Sequence, residues 1–367
     1  MAYGTVNADV IGTSVAGSNL GAGNATAFKN RIINGAMVID QRGPGTYTPN
    51  NSYTLDRWQF QNSQTAKVTI AQNQGSVTPP TGYINYLGIT SSSAYSVTST
   101  DYFMLAQKIE GLNVSDLGWG TANAKTITLS FQVYSSLTGT FGGSLVNQSG
   151  ARSYPFTYTI SSANTWTSVS VTIAGDTSGT WLTTNGIGIN VYFSMGAGST
   201  VIGTAGTWAS AAYYGATGQT SVVGTNGATF YITGVQLEVG SSATGFDFRS
   251  IGTELALCQR YYINMNNPSG SGLGIFGAGY IDGTTQGRAY TALKVTMRAS
   301  PTVTGTNLYI QNNLVVGPQT SFSTYKATPD AIAYIVTSAG AGLTGNSGCI
   351  ITDNSSASAS ITASAEL

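Results

Sequence analysis

The sequence contains no histidine, only two cysteines and few charges. Without an imidazole, HExxH zinc sites, Ser-His-Asp triads and Cys-His dyads are all impossible, which removes most hydrolase templates. Cys258 and Cys349 lie far apart and fit neither a metal-ligand spacing nor a disulfide framework, so they read as small buried apolar residues. Charged residues make up 8% of the chain, against about 25% in an average soluble domain, and the formal net charge is zero. With no Lys/Arg run, few counterions would be released on a phosphate backbone, and nucleic acid is not an expected partner. No stretch approaches the roughly 20 apolar residues of a membrane span, so membrane insertion is not expected. The first basic residue is Lys29, which leaves no charged n-region for a secretory signal. The expectation is a chain made in a cytoplasm.

What is abundant is glycine, hydroxyls, amides and aromatic rings: 47 Gly and 21 Tyr in a chain that is 41% apolar, too hydrophobic for disorder. "KTITLSFQVYSS" alternates Ile127, Leu129, Phe131 and Val133 with polar partners, and "TWTSVSVTI", "IGINVYFSM" and "ATFYITGVQLEVG" repeat that period. Turn clusters such as "SLTGTFGG", "AGDTSG" and "TTNG" separate them. The pattern predicts an all-β chain: an antiparallel jelly-roll β-sandwich, then a short linking helix and a smaller C-terminal β-domain. The expected limits are an N-terminal arm at residues 1–29, the sandwich at 30–248, the helix at 249–262 and the second β-domain at 263–367. Within "TELALCQRYY", Thr253 is the expected N-cap, Glu254 suits the helix dipole, and Leu255, Cys258 and Tyr262 share a face. Near-zero net charge removes self-repulsion and favours a permanent assembly.

The carboxylates are scattered singly. Asp40, Asp56, Asp101, Glu110, Asp116, Asp176 and Glu238 fall on different predicted strands or loops, with none of the local pairing that nominates a glycosidase dyad. No enzyme is expected. "GLGIFG" at 272–277 matches a dinucleotide fingerprint in letters but lacks the strand before and the helix after, so no cofactor is expected. Aromatic rings can stack on the apolar face of a sugar. Trp58 and Trp166 sit in strand-like patterns and read as core. Trp119, Trp181, Trp208, Tyr213 and Tyr214 lie in turn-rich surroundings and are the candidate glycan contacts, with folding back to cap the sandwich as the competing role.

Residues 28 to 60 hold a further signal, "FKNRIINGAMVIDQRGPGTYTPNNSYTLDRWQF", which concentrates ionic residues in a nearly uncharged chain. With "QKIEGLNVSDLGWGTANAKTITLSFQVYSS", "TFYITGVQLEVGSSATGFDFRSIGTELALCQRYY" and the terminal "MRASPTV…SAEL", it resembles bacteriophage tail-fibre and related virion proteins. The resemblance implies a carbohydrate-binding-module-like jelly roll, a homotrimer, attachment to other virion proteins through the N-terminal arm, and contact with host surface polysaccharide. The place would be the virion, assembled in host cytoplasm. Arg31, Asp40, Arg42, Asp56 and Arg57 would then be a structural ionic cluster pinning the first strand and its Gly/Pro loop. Related jelly rolls often hold calcium through acids after an N-terminal "NG" and in the last strand; here Val38 and Thr233 stand in those neighbourhoods, so no metal is expected. Three roles follow: a receptor-binding fibre first, a head fibre or capsid decoration protein second, a glycan-degrading tailspike last.

Overall fold

A computed structural model describes residues 29–43, 45–267, 273–312, 315–339 and 342–367, with the side chains of Val315 and Val316 outside the description. The proposed N-terminal arm, apart from Lys29, and Gly272 of the "GLGIFG" match lie outside the described residues. The chain divides into two compact units, Met1–Ser250 and Ile251–Leu367.

The first unit is a jelly-roll-like sandwich. Its strands are β1 (Ser52–Leu55), β2 (Trp58–Asn62), β3 (Val68–Gln72), β4 (Leu87–Ser91), β5 (Tyr102–Glu110), β6 (Ile127–Ser135) and β7 (Gly139–Val146). They continue as β8 (Ser153–Ile160), β9 (Thr167–Ile173), β10 (Ile187–Ala197), β11 (Ile202–Gly203), β12 (Gly215–Ala216) and β13 (Thr229–Val239). One sheet runs in the order β1-β2-β5-β10-β7-β8 and the other β3-β4-β13-β6-β9, antiparallel throughout. The alternation read from the sequence sets which side chains meet between them. Ile127, Leu129, Phe131 and Val133 of β6 are buried against Phe60, Leu105, Val191 and Phe193 of the opposite sheet's strands in one core. Phe131 is the interlock: its ring centroid lies 5.0 Å from those of both Phe193 and Tyr158, edge to face.

The sandwich was expected to open at residue 30 with an entry strand ahead of the Gly/Pro loop, yet among the described residues the first strand starts at Ser52. Asn34 and Met37 take left-handed φ of 58° and 57°, which breaks any ladder. Amide side chains supply the missing bonds. Asn34 donates to the carbonyls of Ile39 (2.8 Å) and Asp56 (3.0 Å) and accepts from Ile39 N–H (2.9 Å). Gln107 clamps Ile33 by accepting from its N–H and donating to its carbonyl, both at 2.8 Å, and Asn30 reaches Val235 and Leu237 in the same manner.

The second unit begins with α1 (Ile251–Gln259), so the helix expected as a separate linker falls inside it. Glu254 is in the first turn, but Thr253 is already within the helix rather than its cap. Tyr262 opens β14 (Tyr262–Asn266), where its ladder partner is Ser364; the run of aromatic and β-branched residues takes the sheet in preference to another helical turn. After it come β15 (Ile275–Asp282), β16 (Gln286–Ala292), β17 (Thr302–Thr306), β18 (Tyr309–Asn312), β19 (Val315–Thr328), β20 (Ala331–Ser338), β21 (Gly348–Thr352) and β22 (Ser360–Ser364). Six of them close a barrel in the order β15-β16-β20-β19-β18-β21, and β14-β22-β17 form a small sheet. Cys258 and Cys349 are both buried, and neither forms a disulfide among the described residues.

A buried carboxylate ties the start of β5 to two loops. Asp101 accepts from Ser63 Oγ at 2.7 Å and from the Tyr95 hydroxyl, Thr98 N–H and Thr98 Oγ1, each at 2.8 Å. Burial alone would raise its pKa, but the bonds from Thr98, Ser63 and Tyr95 outweigh that and hold it well below its ordinary 3.8. A carboxylate with a depressed folded pKa stabilises the fold above its unfolded value, and the contribution is lost as pH falls further toward the folded one. Urea unfolding should therefore show stability holding down to about pH 5 and declining below about pH 4, with a shallower acid decline in Asp101→Asn. Equal acid slopes in the two proteins would contradict this role.

Candidate functional site

The residues of the ionic cluster serve several local tasks. Arg31 pairs with Asp116 at 2.8 Å and donates to Asn113 O at 3.1 Å. Asp40 caps the turn by accepting from the N–H groups of Arg42 and Gly43, both at 3.1 Å. Asp56, fully buried, accepts from the backbone and side chain of Gln41 at 2.6 Å each. Arg57 is also buried, with φ of 68°, and donates to Lys108 O. The Arg42 guanidinium lies 5.0 Å from the Tyr53 ring centroid. Arg249, which the sequence did not single out, donates to the carbonyls of Ile32 and Asn30 from a side chain that is 7% exposed.

Structure divides the five candidate aromatics. Trp119, Trp181 and Trp208 form one mutually edge-on group, with centroids 4.8, 5.3 and 5.4 Å apart and interplanar angles of 77–79°. Each indole N–H already has a protein acceptor: Lys125 O for Trp119, Asp176 Oδ2 and Ser178 O for Trp181, Ala174 O for Trp208. Trp119 is buried, contrary to the exposure its turn context suggested, because the loops carrying the three rings fold onto the core. Asp176 fixes those loops. Its carboxylate takes two bonds from Arg152, Nε to Oδ2 at 2.8 Å and Nη2 to Oδ1 at 2.7 Å, and its carbonyl accepts Gly120 N–H. A recess of about 210 Å³ opens beside Trp119 and Trp181, lined also by Leu117, Leu182 and Ile189.

Tyr214 sits elsewhere, on the outward face of the six-stranded sheet. Across that face Gln59, Ala106, Tyr192 and Ser144 stand opposite one another, and in the next row Gln61, Met104 and Ser194 do. Their neighbours Phe60, Leu105 and Phe193 point into the core, so these rows must point out. Tyr214 packs edge-on against Tyr102 at 5.5 Å and Tyr192 at 5.7 Å. Gln219 lies on the same face and donates to Ser194 Oγ at 2.6 Å. Gly142 of β7 leaves room for it: a Cβ there would stand 2.2 Å from Gln219 Oε1 and displace that amide. Lys108 reaches within 6.0 Å of the Tyr53 ring. Burial, then the neighbouring hydroxyls of Tyr214, Tyr102 and Tyr53, push the Tyr192 pKa up, which keeps it a neutral hydroxyl. Tyr213 is half-buried against Gly203.

Trp166 is a correction of another kind. It is half-buried on the outer side of the five-stranded sheet, beside Tyr86 and Tyr134, with its N–H on Thr78 O at 2.9 Å. Its strand alternates in the register expected, but Thr167 pairs with the core residue Val133, which turns Trp166 outward. Tyr86 and Tyr231 beneath it are covered, at 0% and 4% exposure, and cannot receive a ligand.

Among the described residues, no group of three His, Cys, Asp or Glu could hold a metal ion. Thr233, one of the two positions where a calcium ligand was sought, is fully buried.

No family model matches the chain, and no curated protein matches it. Solved structures that are similar include the enzymatically active domain of tailspike protein 4 from bacteriophage CBA120, at 12% identity and a TM-score of 0.33. That match covers 59% of this chain and 22% of the tailspike chain. A family 11 carbohydrate-binding module of a Clostridium thermocellum cellulase matches at 14% identity and a TM-score of 0.28, over 55% of this chain and 99% of the module. At these scores and identities the likeness bears on neither ligand nor activity.

The tryptophan group depends on Arg152, whose loss would strand a buried carboxylate. Arg152→Ala should cost about 3 kcal/mol in urea unfolding and red-shift the tryptophan emission, and Arg152→Lys should recover little because one ammonium cannot serve both oxygens. Unchanged stability in Arg152→Ala would show that the group is held by packing alone.

Proposed function

We propose that this chain is a non-enzymatic adhesion protein of a bacteriophage particle, a tail fibre or related receptor-binding protein, and that its first unit holds host surface glycan. The observation that carries the reading is the outward face of the six-stranded sheet. Half-buried Tyr102 and Tyr214 stand there with the half-buried amides of Gln59, Gln61 and Gln219, over a floor of Tyr192, Ser144 and Ser194 that is itself covered. Rings supply flat apolar surface for sugar C–H groups, while amides and hydroxyls match sugar hydroxyls at low electrostatic cost. The sequence resemblance supports the virion setting, where a homotrimer and many copies per particle would multiply weak contacts.

The carboxylates support a role without chemistry. Asp56, Asp101, Asp176 and Glu238 are each buried and engaged by their own donors, Glu238 by Thr244 and Gln236. A hydrolytic pair needs carboxyls free to face a glycosidic bond. A decoration role has one observation in its favour: Tyr83, Phe246 and Phe248 cluster at 4.8–5.5 Å, with Phe248 62% and neighbouring Ile84 75% exposed. Such a patch suits burial against another copy, and the adhesion reading has a place for it in the trimer.

Glycan-array binding by the purified assembly tests the reading. Tyr102→Ala and Tyr214→Ala should each weaken binding about tenfold, a loss of the order expected for one stacked ring. Trp181→Ala that abolishes binding with the fold intact would move the site to the tryptophan recess. Absence of any glycan ligand would leave the decoration role, and release of reducing ends from host polysaccharide would establish a tailspike.

A further inference from the structure

The barrel of the second unit bears aromatic rings that its own packing does not use. Tyr280, Tyr290 and Tyr325 are 49%, 58% and 68% exposed on strands β15, β16 and β19. An outward strand position in a chain this rich in Ser and Thr would ordinarily carry a small hydroxyl, because leaving large apolar surface in water stabilises nothing. These three rings are moreover brought together. Tyr280 stands opposite Arg288, Ala278 opposite Tyr290, and Tyr290 opposite Ala333, so Tyr280 and Tyr290 rise from adjacent strands on one wall, with Tyr325 one strand beyond β20. They surround a recess of about 260 Å³ floored by Ala278, Gly279, Ala289 and Ala333. Between these strands Gly279 admits no larger residue, since a Cβ would fall 1.7 Å from the Arg288 carbonyl oxygen.

The rim adds polarity of a specific sort. Arg288 donates through Nε and Nη2 to the same oxygen of Asp282, Oδ2, at 2.7 and 2.6 Å. Nη1 of Arg288, which lines the recess, is thus left without a bond among the described residues, while Asp282 anchors the guanidinium without lining the recess itself. The guanidinium also lies 5.4 Å from the Tyr325 ring centroid, which fixes it beside the recess. Lys326 pairs with Ala333 in the ladder but does not line the recess.

We propose that this recess is a saccharide-binding site that takes one hexose unit, independent of the tyrosine face of the first unit. The apolar face of the sugar would rest on the alanine-glycine floor and against the rings of Tyr290 and Tyr325. A sugar hydroxyl would accept from Arg288 Nη1, the donor in the recess that the ion pair leaves over. A protein partner would be served by rings alone; the spare guanidinium donor above the small-residue floor is what selects a hydroxyl-bearing ring.

The test uses the full chain in its native assembly, labelled with 3-fluorotyrosine, with the resonances of Tyr280, Tyr290 and Tyr325 assigned through single Tyr→Phe variants. Glucose, galactose, mannose, N-acetylglucosamine and rhamnose are titrated separately to high millimolar concentration. At least one sugar should shift all three resonances along a single saturation curve, and Arg288→Ala or Tyr325→Ala should weaken that curve about tenfold. Tyr325→Phe should retain it, since the ring remains and the position is exposed. No shift at these residues with any sugar would overturn the proposal, whatever happens at Tyr102 and Tyr214. Shifts that follow protein concentration instead of sugar would also overturn it and make the wall a contact between copies. Because the two tyrosine groups report separately, failure here is distinguishable from failure of the first-unit reading.

Discussion

The interlock of Phe131 with Phe193 and Tyr158 between the two sheets is the contact on which the first unit depends. It fixes parity. Side chains alternate strictly along a strand, so once Phe193 and Leu105 are committed to the core, Tyr192, Ser194 and Met104 are committed to the outer face. A slip of one residue would exchange the two sets, placing Tyr192 and Ser144 between the sheets and Phe193 on the outer face. The core therefore positions the candidate glycan face.

Low charge imposes the second constraint. Buried polar groups still need partners, and in a chain with 28 charged residues among 367 those partners are mostly amides and hydroxyls. Asn30, Asn34 and Gln107 act as lengths of substitute ladder for the leading segment, where the backbone departs from strand geometry. Buried carboxylates such as Asp101 and Asp176 are surrounded by donors. A surface built from the same groups offers many modest hydrogen bonds and little field. That suits a neutral polyhydroxylated ligand better than a polyanion.

Strands and their inward faces were legible in the sequence because the period of two is a direct imprint of a half-buried sheet, as in Ile127 to Val133. The helix was legible, but not its end, since Tyr262 has strand propensity and a ladder partner more than a hundred residues away. The candidate site was legible only in part. Turn-rich flanks mark Trp119, Trp181 and Trp208 as loop residues without saying whether the loops fold back, and that is decided by Asp176 and Arg152. Tyr192 was overlooked inside an ordinary-looking strand. Its signal was present all the same: Asn190, Tyr192 and Ser194 occupy the positions between Ile189, Val191, Phe193 and Met195, an aromatic ring on the polar side of the pattern. The leading segment left no periodic trace because single Asn and Gln residues are common throughout this composition.

Amide hydrogen exchange of the intact assembly, with and without host surface polysaccharide, tests the central claim most directly. The account predicts that the polysaccharide slows exchange in the loops bordering the outward face of the six-stranded sheet, around Tyr53 and from Tyr213 to Gln219, while the covered side at Tyr86, Tyr134 and Tyr231 is unchanged. Protection confined to the five-stranded sheet, or none in the first unit at saturating polysaccharide, would contradict it.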